Sequence, residues 1–170
     1  RNGLGAGHKV GRGKREKKAM RMCSIASGSS GNCIYIGSER SHILIDAGIS
    51  GKRVEEGLRS LQLSGQDVNG ILITHEHSDH IKGLGVLSRK FGIPIYATPG
   101  TAAAIRESES LGKIDGSLFV EIKADTSFAV GDLKIEPFRI SHDAAEPVAF
   151  RVACGDNTMA VATVLGVYSD

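Results

Sequence analysis

Cysteine, proline and aromatic side chains are scarce: the 170 residues include three Cys, four Pro, five Phe, three Tyr and no Trp. Cys23, Cys33 and Cys154 lie far apart, are odd in number and form no CxxC pair. That excludes a disulfide framework, leaves too little sulfur for a thiolate metal site, and makes a reducing cytoplasm the expected compartment. The thiols read as small buried hydrophobes. No apolar run approaches the roughly 20 residues needed to cross a bilayer, and no apolar stretch of the secretory type follows the basic start. So few aromatic rings also speak against a module that binds single strands by stacking. What is present, 41% hydrophobic and 24% charged residues, suits one globular domain with a sizeable core.

The formal net charge of +2 conceals an asymmetry. Residues 1–19 carry Arg1, Lys9, Arg12, Lys14, Arg15, Lys17 and Lys18 against Glu16, whereas the remainder holds 14 basic and 18 acidic side chains. The basic character belongs to the leader and says nothing about a basic groove on the domain. Rich in Gly, Lys and Arg and without apolar period, residues 1–19 read as a solvated, disordered leader; nonspecific contact with nucleic acid is the alternative. The folded domain is expected over residues 20–170.

From Met20 onward, short apolar runs alternate with Gly, Ser and Asn. Strands are predicted over 22–26, 33–36, 43–45, 70–74, 94–97, 118–122, 127–130, 133–138, 147–153 and 159–164. The run 70–74 is apolar enough to be buried on both faces. Helices are predicted over 52–63, where Val54, Leu58 and Leu61 recur at helical spacing, over 79–91, and from Pro99 to about Ser110. Strands that first meander and then alternate with helices indicate an α/β or α+β class built on a layered sheet.

The chemistry concentrates directly after the strand 70–74, in Thr74-His75-Glu76-His77-Ser78-Asp79-His80. Alternate residues of an extended segment point the same way, so His75 and His77 can share one cation, while Glu76 and Ser78 point elsewhere. As the chain turns into a helix, Asp79 and His80 can aim back at a second cation. Imidazole with carboxylate suits zinc, manganese or iron. Isolated histidines such as His8 and His42 read as ordinary core or surface residues. Three histidines and an aspartate crowded together without a cation would suffer desolvation and mutual repulsion.

The segment Ile73-Thr74-His75-Glu76-His77-Ser78-Asp79-His80 resembles the signature of the metallo-β-lactamase superfamily. Ile45-Asp46-Ala47-Gly48 resembles its aspartate–glycine turn, and Ser141-His142-Asp143 its later histidine motif. The resemblance implies an α/β fold of the αββα sandwich type with its C-terminal part missing. It makes His75, His77 and His142 ligands of a first metal and Asp79 and His80 ligands of a second. Asp46 would accept a hydrogen bond from a ligand histidine and fix its tautomer. Ala26-Ser27-Gly28-Ser29-Ser30-Gly31-Asn32-Cys33 is similar to the YycJ-like branch, whose members are described as DNA exonucleases. By composition alone that stretch reads as a flexible hairpin connection. The resemblance extends from about Met22 to Tyr168.

The implied reaction is hydrolysis of a phosphodiester in DNA: a metal-activated hydroxide attacks phosphorus, with Asp79 orienting it as the catalytic residue. A thioester or lactam is the alternative substrate, because fold and metal motif do not fix substrate. Two departures bear on activity. Val164 stands where the family pattern has an aspartate bridging both metals, and the last histidine of the pattern would fall beyond Asp170. Asp156, in a turn, and Asp170, beyond the last strand, are poor substitutes. The expectation is one well-held zinc or manganese ion (iron being a further candidate) and a weak or absent second one, so an impaired, metal-binding relative is a competing reading. A noncatalytic DNA-binding module driven by the leader is the weakest reading. A missing C-terminal part also predicts exposed apolar surface and self-association.

Overall fold

The computed structural model describes residues 20–155, 159–163 and 166–169. The basic leader 1–19, with His8, lies outside the described residues, as do Asp156, Val164 and Asp170. The chain starts as an antiparallel meander of β1 (Arg21–Ala26), β2 (Cys33–Gly37) and β3 (His42–Ile45). It then crosses over three times to add parallel strands β4 (Gly70–Leu72), β5 (Ile95–Ala97) and β6 (Phe119–Glu121), giving a six-stranded sheet in sequential order. A second, antiparallel sheet follows with β7 (Phe128–Val130), β8 (Leu133–Arg139), β9 (Val148–Ala153), β10 (Met159–Thr163) and β11 (Gly166–Ser169), in the order β11-β10-β9-β8-β7.

The first sheet is buried on both faces, which explains its uninterrupted apolar runs. Tyr35, Leu44, Ile71, Ile73 and Ile95 pack toward helices α1 (Gly51–Ser60), α3 (Leu84–Phe91) and α4 (Pro99–Glu107), against Val54, Leu58, Leu84, Leu87 and Ile105. The alternate residues Ile34, Ile36, Ile43, Ile45 and Leu72 face the second sheet, meeting Leu133, Ile135, Val148, Phe150 and Val152. Each such buried side chain contributes about 1.5–3 kcal/mol relative to exposure. Among the described residues this makes three of the four layers of an αββα sandwich. On β8 and β9 the outward side chains Lys134, Glu136 and Arg151 form ion pairs, Arg151 Nη1 lying 3.4 Å from Glu136 Oε2. The large apolar side chains exposed among the described residues are Val86, on α3, and Val120, on β6.

Local chemistry sets the boundaries. Ser50 caps α1 by accepting the Arg53 N–H, α4 starts with Pro99 in its first turn, and α3 ends at Gly92 with φ +64°. The helix predicted over 79–91 is two helices, α2 (Ser78–Ile81) and α3, separated at Lys82-Gly83. The Gly83 N–H donates to the Ala47 carbonyl at 2.8 Å, and a Cβ at Gly83 would run into the Ile49 carbonyl. A contact with the turn after β3 therefore breaks a pattern that is periodic throughout. The strand β11, paired with β10, is a further addition to the predicted elements.

Candidate metal centre

Strand β4 delivers the chain to the carboxyl end of the first sheet, and His75, His77, Asp79 and His80 follow it. The Thr74 carbonyl accepts the Val148 N–H at 2.9 Å, so β9 of the second sheet is tied to the residue just before His75. The loop between β8 and β9 brings His142 to the same place. One nitrogen each of His75, His77 and His142 lie within 4.8 Å of one another. The ring centroids of His75 are 4.6 Å from both His77 and His142, and those of His77 and His142 are 5.1 Å apart. His75 is buried, His77 half-buried and His142 exposed, so the cluster opens to solvent on one side.

Asp46, with φ +63°, is the hub behind the cluster. Its Oδ1 accepts the Thr74 N–H at 2.8 Å, and its Oδ2 accepts the Thr74 hydroxyl at 2.7 Å. Having donated to Asp46, the Thr74 oxygen is left to accept from His75 Nδ1, 2.9 Å away. The proton of His75 is thereby held on Nδ1, and Nε2 keeps its lone pair. The same Asp46 Oδ2 accepts from His80 Nδ1 at 2.6 Å. The His80 ring centroid is 4.0 Å from that of His75, and its Nε2 lies 3.7 Å from Asp79 Oδ2.

Charge follows from this layout. Burial, then the neighbouring His80, His77 and His142, push the His75 pKa down to about 3, so its ring is neutral at pH 7. Burial alone would lower His80 too, but the hydrogen bond and charge of Asp46, with the charge of Asp79, raise it above the ordinary histidine value. A neutral imidazole with its free lone pair beside two others is a donor set that fits a borderline divalent cation. Asp79 and His80 form an adjacent, smaller pair with oxygen and nitrogen donors.

Asn32 was not singled out by sequence reasoning. Its N–H donates to the Asp79 carbonyl at 2.8 Å, and its carbonyl accepts the Gly48 N–H at 2.8 Å. Its Nδ2 reaches the Gly28 carbonyl at 3.0 Å and the Asp79 carbonyl at 3.3 Å, and lies 3.3 Å from His80 Nε2. The Ser/Gly stretch is thus anchored through Asn32 to the helix that carries Asp79 and His80, whereas composition suggests only a flexible connection. A polar residue between a glycine turn and a buried strand was the available signal. Glu76 turns away from the three histidines, and its Oε1 accepts the Ala145 N–H at 2.8 Å. Ser78 is exposed. His42 lies apart from the cluster, its Nδ1 2.7 Å from the Tyr35 hydroxyl.

The chain belongs to the metallo-beta-lactamase superfamily, whose family model matches residues 26–151. Within it, the chain is 42% identical over 146 residues to exodeoxyribonuclease WalJ of Streptococcus pneumoniae, covering 86% of this chain and 54% of that protein. The same figures hold for exodeoxyribonuclease YycJ of Bacillus anthracis. The chain therefore spans about half the length of the curated relatives it matches. The metallo-beta-lactamase fold protein YhfI from Bacillus subtilis superimposes with a TM-score of 0.66 at 18% identity, over 85% of this chain and 61% of that one, which shows the shared fold.

Proposed function

We propose that the chain is the histidine-bearing part of a metal-dependent phosphodiesterase, an exonuclease acting on DNA in the cytoplasm. The observation that carries this reading is the convergence of His75, His77 and His142 within one 4.8 Å cluster, in a chain related to exodeoxyribonucleases. These three histidines hold one divalent cation, zinc or manganese fitting the donor set, and Asp79 with His80 offers a weaker second position. When bound, the cation lowers the pKa of water and offsets charge developing on the phosphoryl group.

The chain's own residues do the rest. The Asp46–Thr74 relay keeps the proton of His75 on Nδ1 and its ring orientation fixed before any ligand arrives. Asp79, whose side chain is 37% exposed, accepts a hydrogen bond from the attacking water and orients it toward phosphorus. Asn32 holds the backbone of Asp79 from below. Asp46, gripping His80 Nδ1, leaves its Nε2 toward Asp79.

A second reading rests on Val164, a hydrocarbon where the family pattern has a bridging carboxylate: the chain binds metal and turns over slowly. Exodeoxyribonuclease relatives favour a nucleic acid over the thioester or lactam alternative. The test is metal analysis of the purified chain together with exonuclease assays on 5′-labelled duplex DNA, with and without chelator. One tightly held equivalent, lost in His75→Ala, and chelator-sensitive cleavage are expected. Val164→Asp should raise cleavage under the slow-turnover reading. Cleavage that persists undiminished after complete demetallation would sink the proposal.

A further inference from the structure

We infer that Glu76 is the positioning residue for His142, so that the segment bearing two histidines also seats the loop that brings the third; this rests on the metal reading above. His75 and His77 turn to one side of the extended segment and Glu76 to the other. There its Oε1 accepts the Ala145 N–H at 2.8 Å, three residues along the loop from His142. The next residue completes the clamp. Glu146 Oε1 accepts the Gly100 N–H at 2.9 Å, and the Thr98 hydroxyl donates to the Glu146 carbonyl at 2.8 Å. The loop 140–147 is thus fastened at its far end to the histidine segment and to the start of α4.

The other oxygen of Glu76 points to a positional role rather than a stabilising one. Oε2 is buried and has no hydrogen-bond partner among the described residues. A carboxylate oxygen buried in that way opposes stability, and a glutamine would accept the same N–H without the buried charge. Glu76 matters through the length of its side chain and the one bond that sets the loop. His142, carried on that loop, is the most exposed of the three histidines.

The experiment uses the whole chain and cobalt(II) as probe, titrated in competition with a chromophoric chelator. Wild type is compared with Glu76→Ala, Glu76→Gln, His142→Ala and the Glu76→Ala/His142→Ala double variant. Glu76→Ala is expected to weaken cobalt binding by about 10-fold or more, the scale seen for residues that orient ligands. Glu76→Gln should stay within about 2-fold of wild type, since it keeps the bond, and Glu76→Ala should add nothing in the His142→Ala background. In metal-free protein, Glu76→Ala should accelerate hydrogen exchange of amides 141–147. Unchanged affinity in Glu76→Ala, equal weakening in both backgrounds, or a glutamine variant as weak as alanine would each overturn the inference. Absence of cobalt binding in wild type would sink the metal reading instead. In that case unchanged exchange in Glu76→Ala overturns the clamp, and faster exchange upholds it as the seat of His142.

Discussion

Asp46→Asn changes almost no volume and suits the left-handed backbone that Asp46 adopts at φ +63°. Its effect is therefore electronic. The amide oxygen can still take the Thr74 N–H that Asp46 Oδ1 accepts at 2.8 Å. At the other position an NH₂ replaces the Oδ2 that accepts both the Thr74 hydroxyl and His80 Nδ1. The hydroxyl can rotate to accept from the new amide, recovering part of its bond. It then points its hydrogen elsewhere, and the acceptor it offers His75 Nδ1 is weakened. His80 Nδ1–H loses its charged acceptor, and hydrogen bonds to charged groups contribute about 1.5–3 kcal/mol each. Adding the partial loss at Thr74, the variant should be less stable by about 2–4 kcal/mol, a large share of the roughly 5–15 kcal/mol that holds a domain together. The relay that orients His75 is disturbed as well, so metal affinity should fall by about 10- to 100-fold. Urea unfolding at pH 7, with chelator, reads the first quantity, and a competitive metal titration reads the second. If the chelated variant loses less than about 0.5 kcal/mol, within the scatter of neutral surface substitutions, and binds metal like wild type, the hub role assigned to Asp46 is refuted.

Two further outcomes follow from the same geometry. With metal removed, stability should decline as pH falls from about 6.5 toward 3, because the unfolded chain takes up a proton that buried His75, its pKa pushed down to about 3, resists. His80 acts oppositely: its raised pKa favours folding below 6.5, and that contribution is lost as pH climbs through the folded value. Denaturant midpoints measured across this range, compared with His75→Ala, should show the acid-side decline flattened in the variant. Gly48→Ala should destabilise by about 2 kcal/mol or more, the scale of overpacking with strain, since its Cβ would run into the Asp79 carbonyl and lie 2.8 Å from the Asn32 nitrogen; an unaltered thermal midpoint would contradict this.

Most of the architecture was legible because its signals are local. The runs at Ile34–Ile36, Ile43–Ile45 and Ile71–Ile73 are apolar on both faces, and such runs suit strands covered on both sides. The histidine segment was equally readable, since an extended stretch places His75 and His77 on one side wherever it is found. Other features depend on contacts between distant parts of the chain. The break at Gly83 is caused by Ala47, the role of Asn32 by the helix holding Asp79, and the partner of Glu76 is a backbone N–H at Ala145. None of these leaves a periodic trace. Strand β11 is only four residues long and is defined by its register with β10, Val167 opposite Ala162, a pairing that no short window of sequence displays. Val164, on which the slow-turnover reading rests, lies outside the described residues.

The hydrogen bond from Val148 to Thr74 stitches one sheet to the other beside His75. At the far end of the same sheets Asp132 Oδ1 accepts the Ser38 hydroxyl at 2.6 Å, and the Asp132 N–H donates to Ser41 Oγ at 3.1 Å. Two slabs pinned at both ends resist sliding along the strand direction. The loop that carries His142 should accordingly keep its register against the histidine segment while the edges of the sandwich breathe.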